Sequence, residues 1–176
     1  MNIDVLNKWL SAGASIAVIV GVLAAIGGVL VATQTLKETQ KAASATLVLK
    51  LRDTLAEDRY VKLTNEIQNN GSAHVLQIDH GGNFHNIDVE EYIGILDDIG
   101  YLVQGNVIVG EMAYDHFSYD VEKAWCNTDV QQVVRDARTA DRSITAASDP
   151  IYGNFENLAK NYLIKERQSC NDLDNQ

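Results

Sequence analysis

The first hydrophobic pattern in the chain is continuous. Between Lys8 and Lys37 there are 28 residues without a charged side chain. Because an α-helix rises about 1.5 Å per residue, roughly 20 apolar residues cross the hydrocarbon core of a bilayer. A surface helix of a soluble domain keeps a polar face, which this run lacks. The pattern predicts a transmembrane helix over residues 9–32, preceded by a short flank, residues 1–8.

A cleaved signal peptide is the main alternative for this segment. Its apolar region is about 7–15 residues long and ends at a cleavage site with small residues. The run in this chain is longer, and Leu30-Val31-Ala32 is a poor cleavage signature. We therefore interpret the segment as a membrane anchor.

Basic residues near the ends of the anchor predict its orientation, because they stay on the cytoplasmic side. The N-terminal flank offers Lys8 against Asp4, whereas the segment after the anchor holds several basic residues against Glu38. The expected topology is a single pass of the inner (plasma) membrane, with the N-terminus outside and the C-terminal domain cytoplasmic. Anionic lipid headgroups are the expected contacts of the same basic residues. These are Lys37, Lys41, Lys50 and Arg52.

Small residues recur along the predicted anchor at helical spacing. Close approach of two helices in lipid favours small side chains, so the pattern predicts packing against a second copy or another membrane protein. The alternative is that glycine and alanine are simply frequent in membrane helices. The stripe consists of Gly13, Ala17, Gly21 and Ala25, with Ala24 and Gly28 beside it.

The second hydrophobic pattern has the period of amphipathic helices and fills the rest of the chain. It predicts a helical stalk over residues 33–58, a helical domain over 59–168 and a polar tail over 169–176. Strand-type alternation is nearly absent. The expected fold class is all-α, with the single N-terminal transmembrane helix continuing into a small cytoplasmic helical bundle.

Cap and turn signals place individual helices within the domain. Asp88 and Glu91 have the spacing of a capping box, with Ile87 in the position of a hydrophobic staple. The turn at Gly105-Asn106 predicts a helical hairpin that returns as far as Trp125. Further start signals are Thr128 with Gln131, and Pro150 at the favoured first position of the last helix.

Residues 72–87 show no helical stripe and form a long predicted loop. Three of the four histidines in the chain lie there: His74, His80 and His85. With Asp79 and Asp88 they could supply metal ligands, which makes a metal-dependent hydrolase or a ligand sensor the alternative function. No recognised metal-binding spacing is present, so we prefer a solvated polar loop.

Other chemistry is sparse in the sequence. His116 lies on an apolar stripe, which favours a core histidine, and Cys126 at a helix end favours a packing role. Two cysteines are few for a secreted disulfide scaffold, so Cys126 and Cys170 are expected to be free thiols in a reducing compartment. No phosphate loop, nucleophile elbow or catalytic cysteine motif occurs. The prediction is a protein without enzymatic activity or cofactor.

Charge excludes one class of partner. Residues 53–176 carry 22 Asp and Glu against 9 Lys and Arg, a net charge of −13 within a total of −10. Phosphate backbones are bound by clustered lysine and arginine, so nucleic acid is not an expected partner of this acidic domain.

Residues 90–127, EEYIGILDDIGYLVQGNVIVGEMAYDHFSYDVEKAWCN, resemble a family of prokaryotic membrane-anchored small helical-domain proteins of unknown function. The shared features are a helix that ends in a glycine turn and a following helix that closes on Trp125. The segment from Arg135 to Arg142, followed by Pro150 and Phe155, is similar to the C-terminal part of that family. The resemblance implies a bacterial, archaeal or phage source and no established activity.

The expected function combines these observations. The chain is predicted to act as a non-enzymatic protein-interaction or accessory subunit, through helix packing in the membrane and through its helical domain. Membrane lipid and either a second copy or another membrane protein are the expected partners.

Overall fold

The computed structural model describes residues 34–70, 73–141 and 150–173. The chain forms two compact units, Met1–Ala42 and Ala43–Gln176, and in the first of them only residues 34–42, which are helical, are described. The predicted transmembrane helix, residues 9–32, lies outside the described residues. Its stripe of small residues lies there as well.

Within the described ranges, no helix combines the length and the apolar surface needed to cross a bilayer. This finding contradicts the localisation predicted from the sequence, a single-pass protein of the inner membrane with a cytoplasmic domain, and we withdraw that localisation. The helices of the second unit carry exposed polar residues.

The second unit is a helical bundle. Residues 34–55 are helical, and we call the part in the second unit, residues 43–55, α1. The all-α prediction is confirmed, because the described residues contain no strand and only an isolated bridge between Gln77 and Phe84. The remaining helices are α2 (Asp58–Asn69), α3 (Asn86–Gln104), α4 (Gly110–Cys126), α5 (Thr128–Asp141), α6 (Gly153–Glu166) and the short α7 (Cys170–Leu173).

Helix α4 lies at the centre of the bundle and packs against α2, α3, α5, α6 and α7. Its core face follows helical spacing through Ala113, Phe117, Val121 and Ala124, all of them buried. Because neighbours also cover its other faces near the C-terminal end, even Glu122 is buried, and burial raises the pKa of that carboxyl. The predicted helical hairpin of α3 and α4 is present, with Gly105 at the end of α3.

Helices α3 and α6 approach each other closely at Gly100. A Cβ atom at this position would lie 2.5 Å from the backbone oxygen of Asn154, a distance that no side chain tolerates. Asp97, one turn earlier on α3, accepts a hydrogen bond from the backbone N–H of Phe155 at 2.8 Å. Helix α3 therefore supplies the carboxylate that caps the N-terminus of α6.

Helix α1 is joined to the segment between α3 and α4 by Ser44. The buried hydroxyl of Ser44 donates to the carbonyl of Val107 at 3.1 Å and accepts from the N–H of Val109 at 3.2 Å. Val48, one turn further along α1, is buried in the common core. The side chain of Ser44 thus satisfies two backbone groups where regular helix bonding stops.

The predicted capping box of α3 is not formed. Helix α3 begins at Asn86, before the predicted cap residue Asp88, and its N-cap residue His85 makes no side-chain capping bond. Ile87 is 58% exposed, which rules out the predicted staple. Helix α3 therefore starts where the preceding loop ends, without a side-chain cap of its own.

The starts of α5 and α6 also differ from the sequence prediction. The cap of α5 is Asn127 rather than Thr128, because its Oδ1 accepts from two backbone N–H groups at the start of the helix. Helix α6 begins at Gly153 instead of Pro150, since the Pro150 carbonyl accepts from the Gly153 N–H in a turn. Tyr152, inside that turn, has a left-handed backbone with φ of 56°.

Cys126 and Cys170 form a disulfide that joins α4 to α7. The prediction of two free thiols was wrong, whereas Cys126 is buried, as its predicted packing role requires. Disulfides persist in oxidising compartments, so the bond does not fit the reducing compartment expected for the two cysteines. The predicted polar tail thus contains a short helix that is covalently tied to the bundle. His116, expected in the core, is exposed beside Phe117.

Candidate functional site

The loop over residues 73–85 is held against α5 by one buried carboxylate, Asp129. Its Oδ2 accepts hydrogen bonds from the backbone N–H groups of Leu76 at 2.9 Å and Gln77 at 2.8 Å. Its Oδ1 pairs with Nδ1 of His80. The Asp129 side chain is 6% exposed and that of His80 is 40% exposed. A buried anion therefore fixes the loop and orients a histidine that reaches solvent.

Asn127, which precedes Asp129, adds a second connection to the same loop. Its Nδ2 donates to the carbonyl of His74 at 2.9 Å, while its Oδ1 caps α5. The imidazole of His74 is itself held by Glu66 of α2, with 2.7 Å between Nε2 and Oε1. The loop is thus attached to α5 and α2 by side chains rather than by regular secondary structure.

Two glycines, Gly81 and Gly82, allow the loop to close on itself. The backbone of Gly81 has φ of 98°, a conformation that L side chains rarely adopt. A Cβ atom at Gly82 would lie 2.2 Å from the carbonyl oxygen of Leu76. The closure is completed by backbone bonds between Ile78 and Phe84 and between Phe84 and Leu76.

A cleft of about 530 Å³ lies between this loop, helices α3 and α5, and the turn before α6. We call it the loop cleft. No lysine or arginine of the described ranges lines it. Its polar lining residues are Gln77, Asp79, His80, Asn86, Glu90, Asp136 and Tyr152.

The electrostatics of the loop cleft are dominated by carboxylates. The hydrogen bond to Asp129 and the charge of that carboxylate raise the pKa of His80, and the charges of Asp136 and Asp79 act in the same direction. Burial raises the pKa of the Tyr152 hydroxyl, with a further contribution from the charge of Glu90. The cleft therefore favours a positively charged histidine and a neutral tyrosine.

The turn that carries Tyr152 is fixed by Arg138 of α5. The guanidinium donates from Nε to the carbonyl of Ile151 at 2.9 Å. It also pairs with Glu156 of α6, with 2.8 Å between Nη2 and Oε2. A left-handed tyrosine costs free energy, and such residues persist where the surrounding contacts hold them. Arg138 provides those contacts at the edge of the cleft.

The histidines of the predicted loop do not converge on one point. His74 pairs with Glu66, His80 pairs with Asp129, and His85 lies exposed at the start of α3. Among the residues that the structure describes, no group of three or more histidine, cysteine, aspartate and glutamate side chains could hold a metal ion. Of the loop residues that the sequence singled out, the cleft brings together only His80 and Asp79.

The other predicted site residues lie elsewhere. The small-residue stripe Gly13, Ala17, Gly21, Ala25, Ala24 and Gly28 is outside the described residues. The predicted lipid-contacting residues Lys37, Lys41, Lys50 and Arg52 are exposed, and their contact with lipid stays a prediction.

Sequence reasoning missed the two residues that define the cleft. Asp129 resembles any acidic residue in the first turn of a helix, where the helix dipole favours it. Its partners Leu76 and Gln77 are far away in sequence. They donate from backbone N–H groups, which the pattern of side chains does not reveal. Tyr152 was missed because its left-handed backbone has no local signal such as glycine.

Comparison with known proteins adds no family to this description. No protein-family model matches the chain, and neither the curated proteins nor the solved structures give a match.

Proposed function

We propose that the helical domain is a non-enzymatic protein-interaction domain, acting as an accessory subunit or in self-association, and that its partner binds in the loop cleft. The observation that carries this proposal is the attachment of the loop to α5 by Asp129. That carboxylate accepts from Leu76, Gln77 and the His80 ring, so one wall of the cleft is held in place by a buried group.

The hydrogen bonds accepted by the Asp129 carboxylate support a binding role. Both oxygens of Asp129 bond to the loop itself, so the carboxylate builds the cleft wall rather than facing the open space. A wall that is ordered before binding loses little conformational entropy when a partner arrives. The wall of the cleft is thus already ordered when a partner binds.

The charge of the cleft supports a partner of opposite sign. Glu90 and Asp136 line the cleft on two different helices, and no lysine or arginine of the described ranges lines it with them. Carboxylates arranged in this way attract positively charged surfaces and speed their approach. The net charge of −13 on residues 53–176 extends the same attraction over the domain.

Site-specific photo-crosslinking in the producing cells tests the proposal. A benzophenone amino acid replaces Ala137, which lines the cleft, and in a second variant replaces Asp115, which is exposed on α4 and does not line it. We expect a protein adduct of one defined mass from position 137 and none of that mass from position 115. The adduct should weaken when Asp136→Lys is added.

Two results would contradict this assignment. Position 137 could give no protein adduct while the labelled chain is folded and present at normal amounts. Alternatively, positions 137 and 115 could give the same adducts, and then the contact would not belong to the cleft.

A metal-dependent hydrolase or a ligand sensor that uses loop 72–87 remains the second hypothesis, with less support. His74 and His80 are each bonded to a carboxylate from a different helix, which separates the groups that a metal would need. Elemental analysis of the purified chain tests this hypothesis. We expect less than about 0.1 equivalent of zinc, iron or manganese, because genuine sites hold their metal through purification.

A further inference from the structure

A second cleft lies beside the first and shares Tyr152 with it. It has a volume of about 500 Å³ and is bounded by α2 and α3. We call it the α2–α3 cleft. Its polar lining residues are Thr54, Arg59, Tyr60, Glu91, Asp97, Asp98 and Tyr152.

Tyr152 lines both clefts, and helix α3 passes along both of them. Glu90 faces the loop cleft and its neighbour Glu91 faces the α2–α3 cleft. The two spaces therefore meet at one aromatic side chain. The turn that carries this side chain is held by Arg138, so the boundary between the clefts is a fixed part of the structure.

The carboxylates of the α2–α3 cleft differ in their surroundings. Glu91 pairs with Arg59, with 2.5 Å between Oε2 and Nη1, and the guanidinium of Arg59 lies 4.3 Å from the ring centre of Tyr60. Asp97 is engaged in capping α6. Asp98, on the exposed side of α3, forms no ion pair with a described cation. It therefore carries the charge that is open to a partner in this cleft.

We propose that the two clefts form one continuous groove, which binds an extended basic segment of a partner protein across Tyr152. This inference rests on the proposed function, because it assigns the chemistry of the partner to the same site. Basic side chains on either side of Tyr152 meet Asp136 and Glu90 in the loop cleft and Asp98 in the α2–α3 cleft.

The shape and the aromatic boundary favour a basic peptide over a small cation. A single cation would use one cleft, whereas an extended chain advances about 3.3 Å per residue and can place successive side chains in both. The face of a tyrosine ring attracts lysine and arginine side chains that pass over it. The carboxylates of both clefts, Glu90 and Asp136 in one and Asp98 in the other, then complement the charge of such a segment.

Binding of oligoarginine to the full chain tests the inference. The probes are a long peptide of about ten residues, which can span both clefts at about 3.3 Å per residue, and a short one of about four. The variants are Asp136→Lys in the loop cleft and Asp98→Lys in the α2–α3 cleft. Asp115→Lys is the matched control, because it changes the net charge equally at an exposed position outside both clefts.

We expect both cleft variants to weaken binding of the long peptide by roughly three- to tenfold more than the control does, since each replaces an attraction by a repulsion. The short peptide should be less affected by Asp98→Lys than the long one. Tyr152→Gly keeps a residue that accepts the left-handed backbone and removes the ring, and it should also weaken the long peptide. Circular dichroism and thermal unfolding of every variant show that the fold is kept.

Different binding results for the lysine variants test the continuous groove and the proposed function separately. If Asp136→Lys weakens binding and Asp98→Lys behaves like the control, the continuous groove is overturned while the loop cleft remains the binding site. If all three lysine variants behave alike, binding follows net charge alone and neither cleft is a specific site for basic segments. In that case the photo-crosslinking result alone decides whether the loop cleft contacts a protein.

Discussion

Among single residues, Asp129 connects the start of α5 to the loop over residues 73–85. Its carboxylate lies at the start of α5 and accepts from backbone groups of Leu76 and Gln77. These two residues are themselves buried, so no solvent replaces the carboxylate if it is removed. The middle of the loop, at Leu76 and Gln77, thus depends on the Asp129 carboxylate.

The Asp129→Ala variant should lower the free energy of unfolding by about 2–4 kcal/mol, because two buried N–H groups lose their acceptor. Asp136→Ala is the control, since Asp136 is exposed on the same helix and should change the free energy by less than about 0.5 kcal/mol. Urea unfolding followed by circular dichroism measures both. Equal small effects of the two substitutions would show that the loop is held by other contacts.

His80 should make the stability of the domain depend on pH. Its pKa is raised by Asp129, so its contribution is fully present below the ordinary histidine pKa of about 6.5 and is lost as the pH rises through the higher folded value. The destabilisation by His80→Asn should therefore be larger near pH 6 than near pH 9. In an Asp129→Asn background this difference should vanish, which denaturant unfolding at the two pH values measures. A pH-independent effect of His80→Asn in the native background would contradict the pairing.

The residues of the cleft show where sequence reasoning succeeds and where it stops. Composition directed attention to the histidine loop, because three of the four histidines of the chain lie there. The partner of His80 could not be predicted. Asp129 is nearly fifty residues later in the chain, and only the packing of α5 against the loop brings the two together.

At the scale of the helices, α3 and α6 pack closely together, and Gly100 permits their approach. The Gly100→Ala variant should destabilise the domain by about 1–3 kcal/mol, because the added methyl would meet the backbone of Asn154. Gly94→Ala on the same helix is the matched control, since a Cβ atom there meets nothing within 4 Å. Alanine improves helix propensity, so this control should stabilise by about 0.5–1 kcal/mol. Thermal and urea unfolding show whether each variant is stabilised or destabilised. If both variants are destabilised, the contact of the added methyl with Asn154 is not the cause.

The helices themselves were largely predictable, and their starting points were not. Apolar spacing was sufficient to predict the α3–α4 hairpin, because burial of one face imposes the helical period on the sequence. The starts of α3, α5 and α6 depend instead on which polar group reaches the first N–H groups. For α6 that group is Asp97 of α3, which no local pattern around Pro150 could reveal.

For the molecule as a whole, the disulfide between Cys126 and Cys170 changes both stability and the expected surroundings. Replacing both cysteines by serine should lower the free energy of unfolding by about 4 kcal/mol, the chain-entropy value for a closed loop of this length. A reducing agent should lower the stability of the native chain similarly and leave the variant unchanged. Thiol titration of the unreduced, denatured chain should find none, and about two free thiols per chain would show that the bond does not form.

The position of this bond also has a consequence for synthesis. Because the chain is made from its N-terminus, Cys126 cannot form this bond until the following 44 residues up to Cys170 have been added. During that time α4 and α5 can pack, but α6 and α7 do not yet exist to cover them. The bond can therefore form only after the whole of α6 has been synthesised, and a disulfide of Cys126 with another thiol before that point would prevent its pairing with Cys170.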